Sequence, residues 1–288
     1  MQGESVAVVT GSSTGNGFET SLMLAKNGFF TYATMRNLDK SKNLANITKN
    51  ANLPLEVLQL DVTDDKSVAD AIDVIGNRHR TIDVLVNNAG YEQHGAVEDL
   101  SMEEIKAQFE TNFFGPVRVM KAVLPMMRRQ RSGTIVNVSS IGGIIGVPLN
   151  SAYVGSKFAL EGFSESMKYE LENFGIRIIL IEPGAVKTNY LKNSKQALKA
   201  MDPDSPYVEF SKKVSEGVRE RFNEGRSSSP KQVAEVILSA IKSEKPDTRY
   251  LIGNDAIAIK ERRRNSSDSE FELWLKKSLL EQKGFEGK

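Results

Sequence analysis

The sequence predicts an α/β fold with a doubly wound parallel sheet flanked by helices, and three observations support this prediction. Strand-like and helical segments alternate along most of the 288 residues, which is the pattern of repeated βαβ units. Several strand-like runs are continuously apolar, as expected for strands that are buried on both faces. The glycine-rich and polar motifs follow these runs directly, where ligands of such sheets bind. The candidate strands are 5–10, 29–34, 55–60, 82–87, 133–139, 176–182 and 248–252.

Length and composition limit the possible classes of protein. A chain of 288 residues with 40% hydrophobic and 26% charged residues is ordinary for a soluble globular protein with a substantial core. The net charge of +1 gives no overall field that would attract nucleic acid. The sequence has no cysteine and two histidines, so we expect no disulfide, no thiolate chemistry and no metal site.

The organisation along the chain points to one domain in a cytoplasmic protein. No apolar run reaches the ~18 residues that a membrane span needs, and the first residues show no signal-peptide pattern. We expect a dinucleotide-binding and catalytic domain over 1–250, with a substrate lid over about 190–229. Residues 251–288 form a C-terminal extension, which we expect to be helical.

The first βαβ unit carries a glycine-rich turn between its strand and its helix. Gly11, Gly15 and Gly17 form the pattern TGxxxGxG, and Ser13 lies within the turn. Glycines at this place let the backbone approach a pyrophosphate, which then rests on the helix N-terminus. The spacing departs from GxGxxG, and the Walker pattern is absent, so ATP hydrolysis has no motif support. The alternative is a glycine-rich turn that binds no ligand.

Tyr153 and Lys157 are four residues apart, so a helix places the phenol and the ammonium on one face. A neighbouring positive charge favours the ionised phenol and lowers the phenol pKa from about 10. A tyrosine tuned in this way passes a proton to or from an alcohol oxygen near neutral pH. Taken alone, the YxxxK spacing is common by chance and also fits two ordinary residues on a helix surface.

Four motifs in this order resemble the short-chain dehydrogenase/reductase family. They are TGxxxGxG, NNAG at 87–90, Ser140 and YxxxK, and the glycine spacing is that of the compact, single-domain branch. The resemblance covers roughly residues 5 to 245. It implies a Rossmann-type fold that binds a nicotinamide cofactor and interconverts a carbonyl and an alcohol.

The resemblance also implies a role for each of four side chains. Ser140 would donate a hydrogen bond to the substrate oxygen, while Ser139 faces the other way on an extended segment. Tyr153 would deliver the proton, and Lys157 would lower the phenol pKa and bind the nicotinamide ribose. Asn112, in FETNFFG, matches the asparagine that kinks a helix and holds a water in a proton relay; the alternative is an ordinary helix asparagine.

Further cofactor contacts are implied after three other strands. Asp61, in QLDVTD, matches the acidic residue at the adenine ring, and its alternative role is to cap the next helix. NNAG matches the segment that lines the ribose side, with a tight turn as the alternative, and EPGAVKT matches a loop near the nicotinamide. Besides the glycine turn, the implied cofactor contacts are Asp61, Val62, Asn87, Ala89, Gly90, Tyr153, Lys157, Pro183, Gly184, Val186 and Thr188.

The choice of cofactor depends on the end of the second strand. An NAD site usually has a carboxylate there, about 20 residues past the glycines, which accepts a hydrogen bond from the ribose 2′-hydroxyl. The chain has Met35 and Arg36 at this place, and no carboxylate follows until Asp39. Arg36 is suited to grip a 2′-phosphate, so we expect NADP(H) rather than NAD, with a solvated surface arginine as the alternative.

The substrate is the least determined part of the prediction. The lid carries apolar residues near helical spacing, which suit either an apolar pocket or ordinary packing: Tyr207, Phe210, Val214, Val218 and Phe222. The YATMRN segment and the long lid resemble reductases of steroids and retinoids, so we expect a small lipophilic carbonyl or alcohol. One alternative is a 3-oxoacyl carrier reductase, whose acidic carrier would bind Arg128, Arg129 and Arg131. Another is a catalytically silent, NADP-binding regulatory protein.

The partners and the C-terminal extension give two last expectations. We expect a homodimer or homotetramer that pairs through the helices after about Met102 and over 152–173. In the extension, KERRR at 260–264 precedes a helix with Phe271, Trp274, Leu275 and Leu279 on one face. We expect this face to dock on the body and bury the tryptophan; covering the pocket or lying on an anionic membrane are alternatives.

His94, just after NNAG, is expected on a surface loop.

Overall fold

A computed structural model describes residues 4–187, 194–223 and 227–280. The main sheet has seven parallel strands in the order β3-β2-β1-β4-β6-β7-β9, which confirms the predicted doubly wound fold. Its strands are β1 (Ser5–Val9), β2 (Phe29–Met35), β3 (Leu55–Gln59), β4 (Val84–Asn87), β6 (Gly133–Val138), β7 (Ile176–Pro183) and β9 (Arg249–Ile252).

Helices cover both faces of the sheet. On one face α1 and α8 pack on apolar side chains of β1, β4 and β7, and on the other α3, α5 and α6 do so. The helices are α1 (Gly15–Lys26), α2 (Lys42–Ala51), α3 (Asp65–His79), α4 (Met102–Phe109), α5 (Gly115–Gln130), α6 (Ser151–Leu171), α7 (Val208–Asn223), α8 (Pro230–Lys242), α9 (Asn254–Arg264) and α10 (Asp268–Leu280).

The seven predicted strands all occur, and their ends differ from the predicted ones by two residues or fewer. Two short strands escaped prediction: β5 (Gln93–His94) and β8 (Lys195–Gln196) pair in parallel as a second, small sheet. Each strand has two residues, which is too few to show an alternating apolar pattern, and backbone hydrogen bonds from Lys195 to Glu92 and from Ala197 to His94 join them. The last strand, β9, runs through residue 250, so the main sheet continues past the predicted boundary of the domain to Ile252.

The order in which the chain adds strands to the sheet reverses at β1, so that β2 and β4 lie on opposite sides of it. From β1 the chain adds β2 and β3 on one side, and then returns to place β4 on the other side of β1. The Thr10 hydroxyl accepts hydrogen bonds from the backbone N–H groups of Asn88 and Ala89, each at 3.0 Å. The Asn88 amide in turn donates to the carbonyls of Thr10 and Gly11. These bonds tie together the two loops that diverge from the carboxyl ends of β1 and β4.

The described part of the C-terminal extension, 251–280, packs on the body. Phe271 and Ile259 are buried with Ile145, on the segment that follows β6. Leu279 is buried too, and α10 also contacts α7. Trp274 packs at the margin of this cluster and is only half-buried. The expected docking is therefore found, but the expectation of a buried tryptophan is wrong, because Phe271 occupies the deep position.

Within the described ranges, none of the helices combines the length and the apolar character that crossing a bilayer requires.

Candidate active site

The glycine turn after β1 lies against the loop after β4, and this close contact is possible because glycine has no side chain. Gly11 has a φ of +69°, and a Cβ atom on it would lie 2.7 Å from the Cα of Ala89. A Cβ on Gly17 would lie 2.5 Å from the carbonyl oxygen of Gly11. Gly15, with a φ of +61°, begins α1. The glycine turn therefore places backbone without side chains at the N-terminus of α1, as a pyrophosphate site requires.

The two serines of this turn face opposite ways. Ser12 is buried, and its hydroxyl donates to the Val9 carbonyl and lies 3.0 Å from the Ser21 hydroxyl. Ser13 is half-buried at the open side of the turn. Thr14 stands at the N-cap of α1 without a capping bond from its side chain, so the first N–H groups of the helix keep their capacity to bind an anion.

Arg36 follows β2 directly and its side chain is exposed. Met35 is only 3% exposed and packs in an apolar cluster with Leu22, Leu44 and Leu55. A carboxylate in place of Met35 would thus be buried at a cost in stability. This end of the sheet presents one exposed guanidinium, from Arg36, at the place where the sequence predicts a 2′-phosphate.

Asp61 and Val62 follow β3. The Asp61 carboxylate accepts hydrogen bonds from the backbone N–H and the hydroxyl of Thr63, at 3.0 and 2.8 Å. Helix α3 is capped by Asp64, which accepts from the N–H of Ser67 at 2.9 Å. The alternative role of Asp61 as a helix cap is therefore wrong. Val62 is buried against Gly115 at the start of α5.

The NNAG segment contributes to the site mainly through its second half. Asn87 is buried within the sheet, where its amide donates to Asn137 at 2.8 Å and Asn137 donates to Ser164. Asn87 thus joins β4 to β6 and α6. Asn88, Ala89 and Gly90 lie after the strand, beside the glycine turn.

Asn112 lies in a π-helical turn, Glu110–Phe114, between α4 and α5. Its side chain is fully buried, donates to the Tyr91 carbonyl at 2.9 Å and accepts from the Tyr91 N–H at 3.1 Å. A Cβ on Gly90 would lie 3.2 Å from its oxygen. Such π-turns occur frequently at functional sites, and this one holds the NNAG loop in place.

Ser140 and Tyr153 meet across Gly142. The Ser140 hydroxyl oxygen accepts from the N–H of Gly142 at 3.1 Å, a bond that does not use the hydroxyl proton. A Cβ on Gly142 would lie 3.3 Å from the Tyr153 ring and 3.5 Å from the Ser140 oxygen. Ser139 is buried and turns away, toward Glu161 of α6. The predicted choice of Ser140 over Ser139 agrees with this geometry.

Lys157 lies one helical turn after Tyr153 on α6, with its ammonium 5.7 Å from the centre of the tyrosine ring. The side chain is 7% exposed, and the ammonium donates to the carbonyl of Val138, the last residue of β6, at 2.8 Å. Burial lowers the pKa of Lys157 to about 8, while the negative charges of Glu161 and Glu92 oppose the decrease. The lysine is thus both anchored to the sheet and sensitive to nearby charge.

The loop after β7 is held by a residue that the sequence analysis did not identify. Asp255, at the start of α9, accepts from the N–H of Ala185 at 2.6 Å, and its carboxylate fills the space where a Gly184 side chain would be. Pro183 ends β7, and Val186 bridges to Ser228. Thr188, another predicted cofactor contact, lies outside the described residues. Asp255 could not be found from a local motif, because it acts across 70 residues of sequence.

The lid is tied to the segment that follows NNAG. Strands β5 and β8 pair, and Ser205 donates to the buried Asp99 at 2.9 Å. His94 lies on β5 with its ring nitrogen 3.3 Å from the Glu92 carboxylate, so it is on a paired strand rather than a surface loop. Of the predicted lid residues, Val214 is buried and Phe222 lies outside the described side chains.

The arrangement brings most of the predicted residues to one edge of the sheet. The glycine turn, Arg36, Asp61, the NNAG loop, the Ser140 turn and the loop after β7 all follow the carboxyl ends of parallel strands. Asn87 is the exception, since its side chain serves the interior of the sheet.

Comparisons with known proteins show which proteins this chain resembles. Residues 5–199 match the family model described as short chain dehydrogenase. The chain is 41% identical to retinol dehydrogenase 8 of Bos taurus over 252 residues, which are 84% of this chain and 79% of that protein. A short-chain dehydrogenase structure from Streptomyces avermitilis is 31% identical, with a TM-score of 0.80 over 95% of this chain and 98% of the other. An actinorhodin polyketide ketoreductase solved with NADPH is 27% identical, with a TM-score of 0.73 over 86% and 95% of the two chains.

Gly11→Ala should destabilise the fold by about 2–5 kcal/mol, because the new Cβ adds a steric clash with Ala89 to the strain of a positive φ. Gly28→Ala is the matched control: Gly28 also has a positive φ, +91°, but a Cβ there would meet nothing within 4 Å. The control should cost only about 1 kcal/mol. Urea unfolding of both variants measures the difference, and equal costs would contradict the close approach at Gly11.

Proposed function

This chain belongs to the short-chain dehydrogenase family, and we propose that it is an NADP(H)-dependent oxidoreductase that interconverts a lipophilic carbonyl compound and a secondary or primary alcohol, with Tyr153 as acid and base. The observation that carries the proposal is the meeting of Ser140, Tyr153 and Lys157 around Gly142 and the end of β6. A dehydrogenase/reductase of CH–OH or carbonyl groups needs these functional groups together.

The chemistry follows from where charge develops. Reduced nicotinamide supplies a hydride to the carbonyl carbon when it is bound. The carbonyl oxygen then gains negative charge, and Ser140 donates a hydrogen bond to it; the bond that the Ser140 oxygen accepts from Gly142 does not use the hydroxyl proton. Tyr153 delivers its phenolic proton to the same oxygen. A positioned acid contributes about 10²–10⁴ in rate, and a fixed donor at the oxyanion about 3–4 kcal/mol.

Lys157 supports Tyr153 through its charge. The ammonium lies beside the phenol ring and is fixed by the Val138 carbonyl. A cation at this distance favours the negative phenolate that remains after proton transfer. In the proposed mechanism Lys157 also binds the nicotinamide ribose, and Asn112 holds the NNAG loop and the proton relay next to it.

The residues of the crevice fit an NADP cofactor. The glycine turn can lie this close to the loop after β4 because Gly11 and Gly17 have no side chains to collide with Ala89 and with the Gly11 carbonyl, and α1 offers uncapped N–H groups for a pyrophosphate. The exposed Arg36 is suited to bind a 2′-phosphate. Position 35 is a methionine, so it offers no carboxylate to accept a hydrogen bond from the ribose 2′-hydroxyl of NAD. The relationship to a ketoreductase solved with NADPH supports the same choice. Asp61, Val62, Ala89, Gly90, Pro183, Gly184 and Val186 complete the proposed contacts, and Ser13 and Gly15 belong to the turn.

A lipophilic substrate is favoured by the surroundings of Ser140. The segment after it carries Ile141, Ile144 and Val147, which pack with Phe271 and Trp274 of the extension. These side chains make the segment that directly follows Ser140 apolar. The similarity to a retinol dehydrogenase points to the same class of substrate.

The two alternative functions are less well supported. The arginines considered for an acidic carrier, Arg128, Arg129 and Arg131, lie just before Gly133, where β6 begins. They are therefore at the amino edge of the sheet, whereas Ser140 follows its carboxyl edge. A silent regulatory protein would not need a serine, a tyrosine and a lysine in catalytic arrangement. Screening NADPH oxidation with retinal, steroid ketones and acyl thioesters tests the three functions against one another.

We also propose that two copies pair through α6 and the start of α5. Phe158 and Phe163 on α6 and Phe114 before α5 are 45%, 37% and 48% exposed. Phe113 makes ring contacts with both Phe114 and Phe163. An apolar surface of this kind is expected to be covered by a second copy of the chain.

Phe158→Glu should convert the dimer to a monomer, because it places a charge in the apolar interface. Val74→Glu is the control, since Val74 is equally apolar and 51% exposed but lies on α3. Light scattering over a range of concentrations gives the mass of each. A wild-type protein that is monomeric at every concentration would refute the pairing.

Tyr153→Phe should lower kcat by about 10²–10⁴ and leave NADPH affinity nearly unchanged, because it removes the proton and keeps the ring. Tyr169→Phe, at an exposed tyrosine of the same helix, controls for the loss of a hydroxyl and should have full activity. Stopped-flow hydride transfer and NADPH fluorescence measure the two quantities. Near wild-type hydride transfer in Tyr153→Phe would exclude this tyrosine as the acid.

Arg36→Ala should weaken NADPH binding about 10- to 150-fold, since a hydrogen bond to a charged group is worth about 1.5–3 kcal/mol, and should leave NADH binding unchanged. Lys40→Ala removes an exposed positive charge nearby and controls for the change in net charge. The measurement is kcat/KM with each cofactor. An equal loss for both cofactors, or a wild-type preference for NADH, would contradict the assignment of NADP.

A further inference from the structure

One face of α6 carries more functional groups than the proposed mechanism uses. Tyr153, Lys157, Glu161 and Glu165 follow one another at intervals of four residues, so their side chains share a face of the helix. The first two belong to the proposed mechanism. Glu161, one turn beyond Lys157, is only 5% exposed, and a buried carboxylate needs an explanation.

Glu161 lies behind the turn that holds Ser140. A Cβ on Gly143 would be 3.0 Å from the Cγ of Glu161 and 2.6 Å from the hydroxyl of Ser139. The absence of a side chain at Gly143 therefore lets the carboxylate arm pack on the serine turn. On its other side, Glu161 pairs with the guanidinium of Arg249 from β9 at 3.1 Å.

Arg249 connects Glu161 to a second buried carboxylate. Glu182 of β7 is 0% exposed and lies 3.3 Å from the Arg249 guanidinium and 3.1 Å from the ammonium of Lys260. The more exposed Glu165 also pairs with Arg249, at 3.1 Å. Two buried carboxylates thus share two cations, one of which, Lys260, comes from α9 in the C-terminal extension. Apolar side chains would often fill such a space at lower cost, so stability alone is a poor reason for this network.

The charged groups that face Lys157 come from two elements. Glu161 is on the same helix, and Glu92, 7% exposed, comes from the segment before β5, where it pairs with His94. Both carboxylates oppose the burial that lowers the pKa of Lys157. Burial raises the pKa of Glu161 itself; the Ser139 hydroxyl and the Arg249 guanidinium counteract that rise, and Glu182 adds to it.

We propose that Glu161 is a positioning residue whose carboxylate keeps Lys157 in its charged form, and that Lys260 of the C-terminal extension adjusts this effect through Glu182 and Arg249. The inference rests on the proposed role of Lys157 in the reaction. It gives the C-terminal extension an influence on the reaction through the charge of Lys260.

Glu161→Gln should move the basic limb of the pH–rate profile for carbonyl reduction to lower pH. Lys157 loses its proton as the pH rises through about 8, and without the negative charge of Glu161 it loses that proton earlier. The expected shift is on the order of one pH unit. Glu161→Asp, which keeps the charge, should return the limb toward the wild-type position. A limb that stays in place in Glu161→Gln, whatever happens to the rate, would overturn the proposal.

Lys260→Met should move the same limb in the opposite direction, by roughly half a pH unit. The substitution removes the cation that pairs with Glu182, so Glu182 interacts more strongly with Arg249. Arg249 then neutralises less of the negative charge of Glu161. Glu165→Gln is the matched control on α6: it removes the same charge as Glu161→Gln from a more exposed position, where solvent screens it, and should shift the limb much less. Two further outcomes would overturn the proposal. One is a shift of the basic limb in the same direction in Glu161→Gln and Lys260→Met, and the other is no shift of the limb in Lys260→Met.

A second readout does not depend on turnover. The resonance of an isotope-labelled lysine Cε reports the titration of Lys157 in the cofactor-free protein, with Lys157→Arg to assign it. It should shift to lower pH in Glu161→Gln and to higher pH in Lys260→Met. If Glu161→Gln does not fold, Lys260→Met carries the test. Should Tyr153→Phe retain activity, the proposed function fails, but this titration still decides whether Glu161 and Lys260 act on Lys157.

Discussion

The contact between the loops after β1 and β4 is the constraint on which the rest of the site depends. The Thr10 hydroxyl accepts two backbone hydrogen bonds from the NNAG loop, and Gly11 comes so close to Ala89 that any side chain would collide with it. Beyond this contact the chain leaves β1 and β4 toward opposite faces of the sheet. A crevice must therefore open at the carboxyl edge, and the crevice is where the predicted cofactor residues lie.

The proposed catalytic groups are placed by a second constraint, the regular spacing of side chains along α6. A four-residue interval carries the phenol, the ammonium and then a buried carboxylate along one face, while the last residue of β6 anchors the ammonium through its carbonyl. The Ser140 turn packs against the same helix through two glycines that leave room for Tyr153 and Glu161. Helix, strand and turn thus fix the three groups relative to one another without long flexible contacts, as a short-chain dehydrogenase acting on carbonyl or alcohol groups requires.

The C-terminal extension is integrated into this edge rather than appended to it. Asp255 holds the loop after β7, Lys260 neutralises a buried carboxylate, and Phe271 packs on the segment that follows Ser140. These contacts join the extension to β7, to the loop after β7 and to the segment that follows Ser140. The resemblance to known motifs ends near residue 245. The sequence predicted that the face with Phe271 docks on the body, but it did not predict the partners of Asp255 and Lys260, which lie far away in the chain.

The sequence by itself determined the seven strands, the glycine turn and the placement of Tyr153 and Lys157 on one face of a helix, because these depend on local hydrophobic patterns, backbone requirements and helical spacing. The choice of Ser140 over Ser139 came from the family resemblance and stays a prediction. The sequence misjudged Trp274 as buried and His94 as a loop residue, its alternative role for Asp61 as a helix cap was wrong, and it missed the strands β5 and β8. Only the tertiary structure decided those points and placed Asn87 inside the sheet, Asp255 beside Gly184 and Glu161 in a network with Arg249 and Lys260. The physical reason is that polar side chains find their partners across the fold, and neither periodicity nor spacing along the chain records which distant group will satisfy them.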